Sequence, residues 1–434
     1  MTYPETIKYL DSFINYERVL PKNYSRDFKL ERMRSLLCAL GDPHKNMRFV
    51  HITGTKGKGS TAAMTASVLK EMGLSAGLYT SPHLTTFRER IRIDGGMIEE
   101  DELSGIVEGM RPHLDRMRQK EISFFEVYTA IAFLYFKKKK ADFAVMEVGL
   151  GGSLDATNVI DSGISVITPV SFEHTHILGF TLDRIAAEKA GIIKENSVCI
   201  SGPQEKEALG VIEDAAYKMS ADLRLVGRDI LIDTGGYDRD TQRFSVWGRL
   251  SEYPMLELRL RGEHQITNAA CAIGAIEALA SRHNLFVSQE AVREGIARAQ
   301  WPGRMEVVSD DPLVVADGAQ NIASAKALIE GIKRHFKHKK IILILGVSKD
   351  KDIKGICDIL CNAADSVILT RADNPRAADP QYLKGYIRER PCRVFADSKD
   401  ALDYAYQEAG RDDLILVTGS LFLVGEIRDE IHPG

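Results

Sequence analysis

The chain has 434 residues, of which 44% are hydrophobic and 27% are charged, a composition typical of a soluble globular protein with more than one core. Lys and Arg total 57 against 61 Asp and Glu, and the net charge of −4 excludes a global attraction to nucleic acid or anionic membranes. No run approaches the roughly 20 apolar residues that span a bilayer, and no apolar signal region opens the chain, so we expect a cytoplasmic protein.

Short β-branched segments alternate with helix-length amphipathic segments through the first half of the chain. Strands are predicted at residues 48–53, 75–80, 142–148, 163–170 and 198–201. Helices are predicted between them at residues 60–72, 124–138 and 181–194. Continuous apolar strands separated by helices are typical of a parallel sheet that is covered on both faces.

The stretch 230–260 has a different pattern, with a turn-rich segment, Gly235-Gly-Tyr-Asp-Arg-Asp240, followed by alternating polar and apolar residues. This pattern predicts antiparallel hairpins inserted into the first domain. After Trp301-Pro-Gly-Arg304, a second series of strands and helices begins, with strands at 313–316, 340–345, 366–370, 393–396 and 414–418 and helices at 322–335 and 398–409. We therefore predict an N-terminal domain of residues 1–300 with a β-insert at about 225–262, and a smaller α/β domain of residues 301–434.

A glycine-rich segment, Gly54-Thr-Lys-Gly-Lys-Gly-Ser-Thr61, joins the first strand to an Ala-rich helix. This context suits a phosphate cradle, because glycines let backbone N–H groups turn inward and the helix dipole favours an anion. Lys58 is placed to reach the β and γ phosphates of a nucleotide, and Ser60 or Thr61 to face a magnesium ion. The strict Walker spacing fails because residue 52 is Ile, and the alternative is a tight turn with incidental lysines.

Two further strands bring chemical groups to the edge where ligands of open parallel sheets bind. One ends in Met146-Glu-Val-Gly-Leu-Gly-Gly, the other in Thr168-Pro-Val-Ser-Phe-Glu-His-Thr-His176. Glu147 and His174 are candidate magnesium ligands beside the phosphates, although a lone histidine is more often a structural hydrogen-bonding residue. Glu173 and His176 are interpreted as ordinary polar loop residues. Lys194, near the end of its predicted helix, is interpreted as a solvated lysine, and spacing alone does not distinguish Lys189 from such a residue.

These motifs resemble the folylpolyglutamate synthase and dihydrofolate synthase family of the Mur ligase superfamily. The matching segments are 54–61, 79–84, 89–91, 147–158, 181–194, 262–270, 301–304, 317–321, 349–352 and 417–421. The resemblance implies a parallel-sheet, P-loop ATPase-like domain with a small antiparallel insert and a Rossmann-like C-terminal α/β domain. It also implies an ATP- and magnesium-dependent amide ligase that is monomeric and binds a folate or pteroate and L-glutamate.

The resemblance assigns roles to individual residues. Those expected to bind ATP are Thr55, Gly57, Lys58, Gly59, Ser60, Thr61, Asn268, Arg304 and Asp317. Ser81 and Glu147 would hold one magnesium ion and His174 a second, while Lys189 matches a lysine that is carbamylated in the family and then ligates metal. Lys58, Lys189 and His174 form the expected catalytic set, and Gln320, Ser420 and Asp155 are expected at the substrates. Position in the family also suggests that residues 15–21 help to hold the pterin.

The chain departs from the family pattern at two positions. Gln320 stands where the family usually has His, and Ser153 where it usually has Arg, so recognition of glutamate and of the pterin is less firmly implied than ATP binding. The expected chemistry is transfer of the ATP γ-phosphoryl group to a carboxylate, followed by attack of an amine on the acyl phosphate. The alternatives are a Mur-type paralogue acting on a different acid, and an ATP-binding regulator or NTPase without ligase activity.

Overall fold

The computed structural model describes residues 1–19, 27–387 and 390–432, so residues 20 and 21 of the predicted pterin segment lie outside the described residues. The N-terminal region is built on one large sheet. Its strands are β1 (Phe49–Thr53), β2 (Ala76–Tyr79), β3 (Ile91–Ile93), β4 (Gly96–Met97), β5 (Phe143–Glu147), β6 (Ile164–Ile167), β7 (Val198–Ser201) and β8 (Asp222–Leu225). Their order across this eight-stranded sheet is β4-β3-β2-β5-β1-β6-β7-β8.

The four central strands of this sheet, β2, β5, β1 and β6, run parallel, and β3 and β4 add an antiparallel edge. In the register of the sheet, Ile52 pairs with Glu147 on one side and with Val166 on the other. Because these strands are neighbours and point the same way, the loops that leave their carboxyl ends lie side by side.

Helices cover both faces of the large sheet, as the continuous apolar strands predict. They are α1 (Tyr3–Asp11), α2 (Leu30–Ala39), α3 (Lys58–Glu71), α4 (Glu100–Met117), α5 (Phe124–Lys139), α6 (Thr175–Leu178), α7 (Leu182–Ala190), α8 (Lys206–Lys218), α9 (Glu263–His283) and α10 (Gln289–Arg298), with short 3₁₀ helices at Phe87–Arg90, Arg118–Lys120 and Ala156–Val159. Ile52 packs in the core formed with α3 and α9, whereas Phe49 packs on the other face against Phe133 of α5. Within the described residues, no helix is both long and apolar enough for a membrane span.

The segment predicted as hairpins forms an antiparallel sheet of β9 (Leu231–Tyr237), β10 (Gln242–Trp247) and β11 (Glu252–Leu258). Alternate residues of β10 are buried, because one face of this sheet packs on α9 while the other remains partly exposed. Phe244 and Val246 join the same core as Ile273 of α9. The antiparallel β-insert is confirmed.

A second α/β unit follows, on a six-stranded sheet. Its strands are β12 (Glu306–Asp310), β13 (Leu313–Asp317), β14 (Ile341–Leu345), β15 (Ser366–Leu369), β16 (Cys392–Val394) and β17 (Leu414–Thr418), in the order β12-β13-β17-β14-β15-β16. Its helices are α11 (Ile322–His335), α12 (Ile353–Ala363), α13 (Pro380–Lys384), α14 (Ser398–Glu408) and α15 (Leu421–Ile431). Only β12 runs antiparallel to its neighbour. The predicted smaller C-terminal α/β domain is therefore confirmed.

The predicted helix at 181–194 is shorter in the structure, because α7 ends at Ala190 and Gly191 caps it. The following turn buries Ile192 and Ile193. Lys194 is consequently not a solvated helix lysine: its ammonium lies half-buried and donates a hydrogen bond to the side-chain oxygen of Asn158 at 2.8 Å.

Candidate active site

The glycine-rich segment leaves β1 and turns directly into α3. Gly54 and Gly57 have φ angles of +138° and +87°, in a region that side-chain-bearing residues rarely adopt. A Cβ atom at Gly54 would lie 1.8 Å from the hydroxyl of Thr168, and one at Gly57 would lie 2.1 Å from the side-chain oxygen of Asn268. Both positions therefore require glycine. Lys58 begins the helix, and its amine bonds only loosely to the carbonyl oxygen of Gly54, at 3.3 Å.

The Thr55 side chain is engaged by the loop after β6. Its hydroxyl donates to the carbonyl oxygen of Ser171 and accepts from the Ser171 N–H, each at 3.0 Å, and its own N–H donates to Pro169. The hydroxyl and the N–H of Thr55 thus hold the phosphate loop against the loop after β6. Ser60 and Thr61, one turn further on, are buried, and the Thr61 hydroxyl has no hydrogen-bond partner within the described chain.

Glu147 and Ser81 meet beside the phosphate loop. The Ser81 N–H donates to the Glu147 carboxylate at 3.0 Å. Burial raises the pKa of Glu147 to about 6, and the nearby charge of Lys58 opposes that rise. A cavity of about 50 Å³ is lined by both residues, by Gly59 of the phosphate loop and by Arg304. Because burial raises the pKa of this carboxyl group, a bound cation would stabilise its charged form.

A second cavity, of about 20 Å³, lies on the other side of the phosphate loop and is lined by Lys58, Glu173, His174 and Lys189. Burial lowers the pKa of His174 to about 4, so its imidazole is neutral and able to ligate a metal. Burial, with the charge of Lys58, lowers the pKa of Lys189 to about 7. The Lys189 amine donates to the carbonyl oxygen of Gly54 at 2.6 Å.

Glu173 lines this second cavity, whereas its neighbour His176 is exposed. Burial raises the pKa of Glu173, but the charges of His174, Lys58, Lys351 and Lys189 outweigh that effect and the net pKa is lowered. The interpretation of Glu173 as ordinary loop polarity is therefore wrong. The sequence signal for this role was its position next to His174, in the loop that follows the buried strand β6.

Three residues predicted to bind ATP come from different parts of the chain: Asn268 lies on α9 of the N-terminal unit, Arg304 on the linker and Asp317 at the end of β13. Asn268 lies against Gly57, and its amide donates to Gln265 at 2.9 Å. Arg304 lies close enough to Glu147 and Asp317 for its charge to lower the pKa of both carboxyl groups, although burial raises them more. The Asp317 carboxylate also accepts from the Met305 N–H at 2.8 Å. The structure thus brings the two α/β units together on one cleft.

Gln320 and Ser420 follow neighbouring parallel strands, since β13 pairs with β17 through Asp317 and Thr418. The N–H of Gln320 donates to the Ser324 hydroxyl at 3.2 Å, and no hydrogen bond holds its amide side chain within the described residues. The Ser420 hydroxyl accepts from the Phe422 N–H at 3.3 Å and so caps α15. Both residues lie at the carboxyl edge of the C-terminal sheet, where the ligands of such sheets bind.

Asp155 is not available to a substrate. Its side chain is 1% exposed, and its carboxylate accepts from the N–H groups of Gly149, Leu150 and Thr157. These bonds shape the loop after β5, so the predicted substrate contact is replaced by a structural role. Ser153, on the same loop, donates to the carbonyl oxygen of Glu188 at 3.1 Å.

Within residues 1–19, 27–387 and 390–432, no three His, Cys, Asp or Glu side chains cluster closely enough to hold a metal alone. Glu147 instead lines one cavity, whereas Glu173 and His174 line the other together with Lys58. A phosphate loop in the cleft between a parallel ATPase-like sheet and a smaller α/β domain is the architecture of a Mur-type ligase.

Comparison with known proteins agrees with this class. Residues 52–276 match the Mur ligase middle domain, and residues 303–421 match the Mur ligase glutamate ligase domain. The dihydrofolate synthase/folylpolyglutamate synthase of Bacillus subtilis is 36% identical over 406 residues, covering 93% of this chain and 94% of that protein. The chain belongs to the folylpolyglutamate synthase and dihydrofolate synthase family of the Mur ligase superfamily.

Solved structures give the same result. The Mycobacterium tuberculosis folylpolyglutamate synthase complexed with ADP has a TM-score of 0.91 and 32% identity, over 99% of this chain and 98% of that one. An FPGS complex with AMPPCP and folate has a TM-score of 0.85 and 32% identity, and covers 100% of both chains. The resemblance inferred from the motifs is confirmed.

Proposed function

We propose that this chain is an ATP-dependent ligase that forms an acyl phosphate on a carboxylate of a folate or pteroate and couples it to L-glutamate. One observation carries the proposal: the amine of Lys58 interacts electrostatically with Glu147 on one side and with His174 on the other. Lys58 thus links the Glu147 cavity to the His174 cavity, and the proposed phosphate site is the volume that spans both. The folate and nucleotide complexes of its structural relatives support the choice of substrates.

The polar groups around that volume fit magnesium. Thr61 offers a buried hydroxyl with no hydrogen-bond partner in the described chain. Glu147 offers a buried carboxylate that accepts a hydrogen bond from the Ser81 N–H. We propose that Ser81 and Glu147 hold one ion and that His174 holds a second, with phosphate and water oxygens completing each site. Bound Mg²⁺ supplies positive charge against the phosphate oxygens of the nucleotide.

Lys189 is a candidate for carbamylation. The reaction needs a neutral amine, and burial provides one by lowering the Lys189 pKa to about 7. The product would be an anionic side chain facing His174 and Glu173 across the small cavity. This change replaces a cation beside Lys58 by an anion, which suits a second metal site.

The chain's own cations then stabilise the transferring phosphoryl group. Lys58 lies on the phosphate-loop side and Arg304 on the side of the linker between the two units, so a γ-phosphoryl group between them would be held from both directions. Gln320 and Ser420 are proposed to bind the incoming glutamate, with the amide of Gln320 acting as a hydrogen-bond donor. Closure of the C-terminal unit would complete the site and exclude water.

The boundaries proposed for the two domains are residues 1–300, with the insert at 225–262, and residues 301–434. A monomeric state and a cytoplasmic location stay predictions of the sequence. Of the alternatives, a paralogue acting on a different acid is favoured only by Gln320 and Ser153.

A phosphate-release assay tests the proposal. The protein and ATP are incubated with dihydropteroate, tetrahydrofolate or a muramyl acid, each with and without glutamate. Phosphate release is expected only with a pterin acid and glutamate together, whereas an NTPase would need neither.

Glu147→Gln is expected to lower the ligation rate by about 100-fold, in line with the loss of a charge-stabilising group. Glu207→Gln, which removes the same charge from an exposed position of α8, serves as the matched control. Wild-type rates in Glu147→Gln would refute the scheme.

A further inference from the structure

An open cavity of the C-terminal unit lies outside the site described above. Its volume is about 420 Å³, and it lies beyond the carboxyl ends of β14 and β15. Its lining residues are Lys349, Lys351, Asp352, Ile353, Lys354, Ala378, Asp379, Tyr382 and Tyr386. We call it the lysine–tyrosine pocket. Its volume is within the usual range for the binding site of a small organic ligand.

The two acidic residues of the pocket are occupied by the local backbone. Asp352 caps α12 by accepting from the Gly355 N–H at 2.9 Å, and Asp379 caps α13 by accepting from the Gln381 N–H at 2.8 Å. Their negative charge is thus partly balanced by the helix N-termini.

The lysines of the pocket are less engaged. Lys349 donates one bond, to the carbonyl oxygen of Pro375 at 3.2 Å, and Lys354 has no hydrogen bond or ion pair within the described residues. Lys351 is only 3.7 Å from Asp350, but that carboxylate is bound more closely by Arg376, at 2.6 Å. The pocket therefore presents several ammonium groups that lack a matched anion, and it favours a ligand with more than one negative charge.

Two tyrosines also line the pocket. The Tyr382 and Tyr386 rings meet edge to face at 5.5 Å, and their hydroxyls are 2.7 Å apart. Tyr382 is 57% exposed, so its ring and hydroxyl are open to a ligand. A lining of this kind suits a chain that combines methylene groups and amides with carboxylates, because rings pack on the former and hydroxyls bond to the latter.

The pocket is connected to the reaction cleft through its own loops. The Lys349 N–H donates to the carbonyl oxygen of Arg376 at 2.8 Å, and Arg376 reaches across to the carbonyl oxygen of Glu17 in the N-terminal unit, at 2.9 Å. Lys351, on the cleft side, is close enough to act electrostatically on Glu173. Lys351 therefore lines the pocket and also lies within electrostatic range of the cleft.

We propose that the lysine–tyrosine pocket binds the γ-linked glutamyl chain of a folate substrate, through the free α-carboxylate that each linked residue carries. This inference rests on the proposed function. A single phosphate is too compact to use spaced ammonium groups and a 420 Å³ volume, and the nucleotide phosphates already have the loop at Gly54. A repeating carboxylate chain suits a pocket whose lining combines several lysines with two tyrosine rings.

The test compares pteroyl substrates that carry one or three glutamyl residues. In the double variant Lys349→Gln/Lys354→Gln, the KM for the triglutamyl substrate is expected to rise about five- to ten-fold, while the KM for the monoglutamyl substrate stays within two-fold. Free tri-γ-L-glutamate should bind the wild-type chain and bind the variant correspondingly more weakly in calorimetry. Lys384→Gln, an equal charge change on α13 outside the pocket, is the matched control and should behave as wild type.

Three results would overturn the inference: an equal rise in KM for both substrates, a rise in the KM for free glutamate instead, or the same tail-length effect in Lys384→Gln. Failure of the proposed function looks different, because the wild-type chain would then ligate glutamate to no pterin acid at all. In that case the calorimetric binding of tri-γ-L-glutamate still decides whether the pocket recognises such a chain.

Discussion

The guanidinium of Arg376 donates a hydrogen bond at 2.9 Å to the main-chain carbonyl oxygen of Glu17, and so joins the C-terminal unit to the amino-terminal segment. The Glu17 carboxylate accepts two bonds from the buried Arg90, at 2.8 and 2.6 Å. Arg90 in turn donates to Nδ1 of His83 at 2.8 Å, two residues from Ser81. Docking of the C-terminal unit is thereby linked to the loop that meets Glu147.

We expect Arg376→Ala to lower kcat/KM about ten-fold, equivalent to about 1.4 kcal/mol, because the two units would close less often in the reactive arrangement. The free energy of unfolding should also fall, by about 1–3 kcal/mol, because the Arg376 side chain is only 19% exposed and its loss leaves the Asp350 carboxylate, which is 13% exposed, without its closest partner. Steady-state kinetics and urea unfolding measure both quantities. Arg390→Ala, which removes a comparable bond to the carbonyl oxygen of Asn362, should leave kcat/KM unchanged. Equal losses in both variants would show that the Glu17 contact has no special role.

Gly59 of the phosphate loop packs directly beneath Trp301 of the linker between the two units. A Cβ atom there would lie 2.4 Å from the indole ring, so Gly59→Ala should destabilise the protein by about 1–3 kcal/mol and weaken ATP binding. Trp301→Leu in the same chain should restore part of the loss by making room. Gly105→Ala, in open space on α4, is the control and is expected to stabilise by about 0.5–1 kcal/mol. Thermal unfolding and ATP titration of the three variants against wild type are the measurements. A stable Gly59→Ala chain with normal affinity would contradict the packing argument.

His51 is fully buried in β1 and bonds to the Thr157 hydroxyl at 2.8 Å. Burial lowers its pKa to about 3, whereas the unfolded chain binds the proton near the ordinary value of 6.5. Between these two pKa values the unfolded state therefore binds one more proton than the folded state. Protonation of His51 should lower the free energy of unfolding by about 1.4 kcal/mol per pH unit as the pH falls from about 6 to 4.

The contribution of His51 is the difference between the wild-type and His51→Gln slopes in urea unfolding at each pH, because carboxylates titrate in the same range. His432→Gln, at an exposed position, should keep the wild-type slope. Parallel curves for wild type and His51→Gln would mean that His51 is protonated in the folded state.

Lys189 should take up carbon dioxide with a pH dependence set by its lowered pKa of about 7. Its amine is protonated below this pH and neutral above it, so carbamate formation should increase as the pH rises from about 6 to 8. ¹³C NMR of the protein in labelled bicarbonate should show a carbamate signal that is absent from Lys189→Arg and present in Lys194→Arg. A signal that persists in Lys189→Arg would assign the carbamate elsewhere, and no signal at pH 8 in the wild-type chain would refute carbamylation.

Local sequence patterns accounted for most of the secondary structure and for the phosphate loop. Strands β7 and β17 and helix α11 have the predicted bounds. Apolar runs and 3.6-residue periodicity are properties of residues close together in sequence, so they can be read without the fold. The parallel order of the strands also places Glu147 and His174 at one edge, as predicted from where each strand ends. These features are determined by residues that are neighbours in the sequence.

Tertiary structure alone decided which polar side chains face the cleft. The Thr55 and Asp155 side chains lie in the predicted loops but form hydrogen bonds with backbone groups. Glu173 instead lines the cavity, where nearby cations lower its pKa. The contact of Arg376 with Glu17 joins residues 359 positions apart, which no local pattern encodes. Side-chain direction and long-range contact follow from how loops pack on one another, and that packing exists only once both α/β units are assembled.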